Sequence, residues 1–265
     1  MAGAGERSNR RSLEDQERRV GMAKPRGVTV RKVKIEPFKC YFQAKEFLGD
    51  QYWLFFGICF VGLLISGFVP VLLIGPGYAG IAICFLTRAN KQPVVFDQVF
   101  KGFDYFGPTL IASLVHVGGC IILFIPFAIA LIVAAVLLST QEAAMIIPAI
   151  LLYVIAMAYW MVVVSIATMA LMFAILLIVD KKLEPWPASK LAIKGIFKNF
   201  FGIIGTALVG QAIYFIGMMM CFIPGILAIP LVIGGHFIAY WKIFGVEASS
   251  VVSNPANVGP GHKSY

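Results

Sequence analysis

Charge is the scarce commodity in this chain. Only 13% of its 265 residues are Asp, Glu, Lys or Arg, against about 25% in an ordinary soluble domain. Four long stretches, residues 51–87, 105–141, 143–179 and 199–241, carry no charge at all. Hydrophobic residues make up 60% of the chain, more apolar surface than a soluble globule of this length can hide. A soluble protein is thereby excluded, and the chain reads as an all-α integral membrane protein. The missing mid-span charges also weigh against an ion-coupled pump or transporter, which usually keeps ionisable groups at that depth.

Other absences narrow the chemistry. The five cysteines, Cys40, Cys59, Cys84, Cys120 and Cys221, are odd in number and include no C-x-x-C pair. They fit small buried hydrophobes better than a disulfide frame or a thiolate metal site. Two histidines, His116 and His236, lie in apolar stretches with no adjacent carboxylate. Two imidazoles alone under-ligate a metal, so neither a metal nor any other cofactor is expected. No His-Glu-x-x-His, Gly-x-Ser-x-Gly or Walker loop occurs, so no catalytic residue is assigned and no enzyme is expected. Asp97 and Asp104, seven apart, are the nearest approach to a carboxylate pair. They are better suited to holding N–H groups or lysines at a membrane surface.

An early apolar run is missing too. The first begins at Tyr52, so the start of the chain does not read as a signal peptide. Residues 1–35 are basic and poor in apolar side chains, and are read as a disordered tail. Residues 246–265, with Asn254-Pro255 and Gly259-Pro260-Gly261, are read as a flexible tail. Residues 36–245 form the membrane domain between them. No aromatic-basic interleaving marks the tail for nucleic acid; the partners it suits are the lipid bilayer and its anionic headgroups.

What is present fixes the span count. A helix needs about 20 apolar residues to cross roughly 30 Å of hydrocarbon, so each uncharged stretch is too long for one ordinary span. The first breaks at Gly67-Phe68-Val69-Pro70, giving helices near 52–69 and 71–88, with Gly75-Pro76 a kink in the second. The last breaks near Cys221 to Gly225, giving helices near 200–221 and 225–244. Ala149–Val179 has no Gly, Pro, Asn or Asp, so it lacks turn residues and reads as one long helix. Its partner near 108–139 contains Gly118-Gly119 and Pro126 and is expected to be kinked. Six spans result; splitting both middle stretches into hairpins would give eight.

Orientation follows the cations. Lys and Arg number 12 up to Asp50, three in 88–106, five in 181–199 and two near the C-terminus, which is all 22 on one side. The opposite turns carry only Glu142. Both termini are expected in the cytoplasm.

A repeat underlies this pattern. Glu36-Pro37, Gln92-Pro93 and Glu184-Pro185 each open a polar-aromatic stretch followed by an apolar helix and a further Pro. Phe96, Val99, Phe100, Phe103 and Phe106 recur with helical spacing, as do Ile193, Ile196, Phe197 and Phe200. Lys190, Lys194 and Lys198 form a four-spaced cationic edge beside the latter. The first copy, Phe38, Tyr41 and Phe42, is interrupted by Lys45. Three helical hairpins are therefore expected, each preceded by a cytoplasmic interfacial amphipathic segment, with the three lysines as candidate lipid-headgroup contacts. The aromatic face of the 190–198 segment is expected to turn inward.

Several stretches resemble a family of uncharacterised bacterial multi-pass integral membrane proteins. They are Ile74-Gly-Pro-Gly-Tyr-Ala-Gly80, Phe96-Asp-Gln-Val-Phe100, Ile178-Val-Asp180, Asn199-Phe-Phe-Gly202 and Tyr240-Trp-Lys-Ile-Phe244. The resemblance implies a bacterial inner membrane and supplies no activity and no site residue.

For function, His116, Gln211 and His236 are the candidate polar cluster within the membrane. Inter-helix hydrogen bonding is the plainer role for such residues; a solute path is the sharper one. The expectation is a non-enzymatic scaffold or accessory factor for other membrane proteins. The alternative is a transporter or channel for a small or lipid-like solute. A dry bundle core favours the first, and a polar cavity holding these residues favours the second.

Overall fold

A computed structural model describes residues 29–140, 142–220 and 222–245. Among them there is no strand. The helices are α1 (Pro37–Leu48), α2 (Tyr52–Phe68), α3 (Pro70–Ala89), α4 (Phe106–Ser139), α5 (Ala143–Lys181), α6 (Pro185–Lys198), α7 (Phe200–Met219), α8 (Ile223–Leu227) and α9 (Ile229–Phe244), with a 3-10 helix at Phe96–Tyr105. Six helical segments are long and apolar enough to cross a membrane. The middle stretches are single helices of 34 and 39 residues, not hairpins, so the eight-span alternative is set aside.

Proline places several boundaries. Pro37 and Pro185 each occupy the first turn of a helix, after an extended Glu36 or Glu184; a missing N–H costs nothing there. Val69 separates α2 from α3 as expected. Pro230 was not anticipated as a boundary. With Ile229 it restarts the helix after Ala228, so the single helix expected near 225–244 is instead α8 and α9.

The core gathers at one end of the bundle. The last third of α5 is almost wholly buried, from Met169 through Val179 apart from Leu171. The helix as a whole packs against α3, α4, α6 and α7, and Phe173 in this third meets the Tyr240 and Phe244 rings of α9. Phe47, Phe55, Phe85 and Phe237 form an aromatic knot there, with ring centroids of Phe55–Phe85 at 4.8 Å and Phe85–Phe237 at 5.3 Å. The Arg31 N–H donates to the Ile243 carbonyl (3.1 Å), so both ends of the described chain meet here; we call this the terminal end.

Glycine lets three neighbours close on α3. A methyl at Gly80 or Gly102 would collide with the other segment's backbone, so the 3-10 helix crosses α3 almost backbone to backbone. Gly75 lies against the Thr109 backbone of α4, where a Cβ would come within 2.7 Å. Gly77 lies against Gly62 and Ser66 of α2. The Gly-Pro-Gly-Tyr-Ala-Gly stretch is thus a crossing point that α3 shares with α2, α4 and the 3-10 helix.

Two expectations change. Residues 29–35, counted with the tail on composition, are held by the bundle: Ile35 is buried, and Val30 and Val33 pack on the core. Residues 1–28 and 246–265, with the calls made on them, lie outside the described residues. The 96–105 stretch, read at α-helical period, is a 3-10 helix of three residues per turn. Val99 and Gly102 are its buried positions, while Phe96, Phe100 and Phe103 are exposed. Asp97 and Asp104 then lie about 120° apart around the axis rather than on one face.

Candidate functional site

The first copy of the amphipathic pattern seats a tyrosine in the bundle. Tyr41 reaches between α7 and α9, where Gly210 and Gly235 make room for its ring. Its hydroxyl donates to the Thr206 carbonyl at 2.6 Å. Beyond it, toward the far end, the helices diverge around a cavity of about 410 Å³. Its walls come from α2 (Leu63), α3 (Tyr78), α5 (Ser165, Thr168, Met172), α7 (Ala207, Gly210, Gln211, Tyr214) and the start of α9 (Ile229 to His236).

A second cavity, about 390 Å³, adjoins it where α4 and α5 leave the core. His116, Cys120 and Phe124 line it from α4, Trp160 and Val164 from α5, and Ile74 from α3. Tyr78 and Thr168 line both cavities and so stand between them. Each volume lies in the range of about 300–1,000 Å³ usual for small-molecule sites. No Asp, Glu, Lys or Arg lines either one.

The candidate polar cluster is therefore divided. Gln211 and His236 share the first cavity, and His116 belongs to the second. Gln211 shows the plainer role in part: its Nε2 donates to Ser165 Oγ at 2.9 Å, joining α7 to α5. Ser165 in turn donates to the Met161 carbonyl at 2.7 Å. The histidines are different. His236 is 8% exposed, and its Nε2 has no hydrogen-bond partner. His116 Nδ1 lies 2.7 Å from the Ala112 carbonyl. A carbonyl can only accept, so Nδ1 carries the proton, which leaves Nε2 with the lone pair in a neutral ring. That Nε2 is also buried and without a partner.

The larger cavity has a floor. Between it and the terminal end lie Ile81, Phe85, Ile175 and Phe237, around a residual space of about 10 Å³. Phe85 and Phe237 belong to the aromatic knot. The helices leave a chamber blocked toward the terminal end rather than a continuous pore.

The cationic edge lies elsewhere, on α6. Lys190, Lys194 and Lys198 are all exposed. Lys190 Nζ sits 5.0 Å from the centre of the Trp186 ring. Lys198 Nζ donates to the Val30 carbonyl at 2.8 Å, so it holds the N-terminal segment as well as facing outward. The aromatic face does not turn into the bundle. Ala188, Ala192, Gly195 and Ile196 do, while Ile193 and Phe197 are exposed beside the lysines. Gly195 is needed there because a Cβ would come within 2.5 Å of the Phe244 ring.

Two polar groups escaped the sequence reading. Asn199, quoted only for resemblance, is buried; it accepts the Val33 N–H and donates to the Arg31 and Gly195 carbonyls. Asp180 is half-buried with its side chain almost wholly covered: it pairs with Lys181 (3.4 Å) and accepts the Tyr240 hydroxyl (2.9 Å). Both lie at the edges of uncharged runs, where a polar residue looks like the start of a loop. Among the described residues, no group of three or more His, Cys, Asp or Glu side chains is placed to hold a metal ion. No protein-family model matches the chain, and no curated protein or solved structure does either.

Proposed function

We propose that this multi-pass membrane protein binds a small or lipid-like solute inside its helical bundle, as a carrier does. One observation carries this reading: a chamber of about 410 Å³ at mid-bundle whose buried His236 Nε2 lacks a partner. A buried polar atom left unsatisfied costs about 1–3 kcal/mol, and a bound molecule supplies what is missing. A cavity holding Gln211 and His236 favours the solute alternative over the scaffold role expected from sequence. The blocked floor favours a binding recess over a permanently open channel. The activity is non-enzymatic on this reading, as the missing catalytic motifs suggest.

The arrangement that supports it is three hairpins, α2 with α3, α4 with α5, and α7 with α8–α9. Each follows an amphipathic segment lying in the cytoplasmic headgroup layer: α1, the 3-10 helix and α6. Exposed Phe38 and Phe42, then Phe96, Phe100 and Phe103, then Trp186, Ile193 and Phe197 support this placement, with lysines beside them. The one-sided cation distribution supports cytoplasmic termini. The resemblance in sequence favours a bacterial inner membrane.

Thr168→Trp tests the reading. Thr168 is exposed to both cavities despite its mid-helix position, so an indole there fills space instead of displacing the core. The wild type, purified in mild detergent, is expected to carry a co-purifying apolar molecule visible by native mass spectrometry. The variant should remain monodisperse and lose it. Equal retention by both proteins would remove the cavity from the function.

A further inference from the structure

We infer that the solute is an uncharged amphiphile, an apolar chain ending in a hydroxyl group, and that His236 reads the hydroxyl. This deepens the solute-binding reading and rests on it. The first ground is the absence of charge from both cavity walls. A phosphate, carboxylate or ammonium head placed there would lie unpaired in a medium of low dielectric, at a cost far above that of a neutral polar group.

The second ground is where the polar atoms sit. In the larger cavity they are few: Ser165 and Gln211 bonded across the α5–α7 seam, His236 on α9, and the hydroxyls of Tyr78, Thr168 and Tyr214. The remaining wall, Leu63, Met172, Ala207, Ile229 and Ile233, is apolar. A wall that is largely apolar, with the Ser165 and Thr168 hydroxyls already given to the Met161 and Val164 carbonyls, suits a molecule with one small polar end. The adjoining cavity, beyond Tyr78 and Thr168, is more apolar still, with His116 its chief polar group. It lies where a chain leaving the first cavity would pass.

The third ground is the chemistry of the unmatched atom. His236 Nε2 is either a lone donor or a lone acceptor, depending on the tautomer. A hydroxyl both donates and accepts, so it satisfies either form. Gln211 lines the same cavity and keeps a second amide N–H beyond the one given to Ser165. A ketone or ester carbonyl can only accept, and meets one tautomer alone.

The test uses the full-length protein in detergent micelles with four C16 probes carrying the same photoreactive diazirine: hexadecanol, hexadecane, hexadecanoate and hexadecyltrimethylammonium. Labelled peptides are located by mass spectrometry. The alcohol is expected to label peptides containing Leu63, Tyr214 or Ile229 at least tenfold more than the acid or the ammonium, and several-fold more than the alkane. His236→Phe keeps the ring volume and removes both nitrogens. It should bring labelling by the alcohol down to that of the alkane while leaving alkane labelling intact. His236→Gln, which restores a polar end, should recover part of the difference. Equal labelling by alcohol and alkane in the wild type would overturn the hydroxyl assignment and leave solute binding standing. Preference for the acid or the ammonium would overturn the uncharged class. Failure of all four probes to label the chamber would overturn the solute-binding reading itself.

Discussion

Asn199 holds Val33 in place across 166 positions of sequence: its side-chain Oδ1 accepts the Val33 N–H at 2.9 Å. Its Nδ2 donates to the Arg31 carbonyl at 3.0 Å. One amide thus serves two backbone groups of an extended segment that has no sheet partner. Ile35 then packs against Gly202, one turn into α7, where a Cβ would come within 2.6 Å of the isoleucine side chain.

Replacing Asn199 with Leu should therefore loosen residues 29–35 more than it perturbs the spans. Each neutral hydrogen bond contributes about 1 kcal/mol, so the expected loss is about 2–3 kcal/mol. Hydrogen exchange in detergent checks this. The Val33 amide should lose protection, while the amides of Met172–Val179 keep theirs. A chain lacking residues 1–28 should remain monodisperse, whereas one lacking residues 1–35 should be destabilised.

The α3 crossing makes a paired prediction. Gly80→Ala puts a methyl into the Val99 carbonyl. Overpacking of this kind typically costs about 1–3 kcal/mol, and a backbone neighbour leaves little room to relax. Gly118→Ala, at a position with nothing within 4 Å of the added Cβ, should be neutral or stabilise by about 0.5–1 kcal/mol through helix propensity. Thermal unfolding in one detergent should separate the two, with the first melting lower and the second unchanged or higher.

For the cationic edge, the lysines should not behave alike. Lys190→Glu with Lys194→Glu should weaken binding to vesicles containing anionic lipid by about 1 kcal/mol per lost cation, with little effect on folding. Lys198→Glu should also expose residues 29–35 to protease, because its ammonium holds the Val30 carbonyl. Vesicle co-sedimentation and limited proteolysis report the two effects separately. Unchanged lipid binding in the double variant would defeat the headgroup role.

Topology is open to a direct check. Reporter fusions after Asp50, Lys91 and Lys182 should all read cytoplasmic, and one after Glu142 should read the opposite side. A cytoplasmic signal at Glu142 would contradict the orientation drawn from the cations.

How far the sequence spoke depended on the property in question. Span number and the Val69-Pro70 break were legible because the absence of charge and the geometry of proline act locally. Which face of a helix meets protein was not legible. Lipid and protein core are both apolar, so the Phe96–Phe106 and Ile193–Phe200 stripes look the same whether they face one or the other. The choice fell to small residues, Gly102 and Gly80 in one place, Ala188, Ala192 and Gly195 in the other, which permit close approach. His116, Gln211 and His236 stand out in the sequence as polar residues in apolar surroundings. Their division between two cavities depends on how α4 departs from α3, which no local pattern encodes. Asn199 was missed because two of its three partners are backbone groups more than 160 residues away.

The long pair α4 and α5 has one further consequence. At 1.5 Å per residue they measure about 50 and 60 Å, while α2, α3 and α7 have only 17, 20 and 20 residues and match roughly 30 Å of hydrocarbon. The same bilayer cannot suit both sets upright. Because the excess is apolar, with Ile121, Ile132, Ile147 and Leu151 all exposed, it avoids water by tilting, kinking or locally thickening the bilayer. A thicker bilayer lets the pair stand and a thinner one lays it over, at a fraction of a kcal/mol for each ångström of mismatch. The smaller cavity sits at the root of that pair, between α3 and the two long helices. A change of bilayer thickness is therefore expected to reach the geometry around His116 and Trp160.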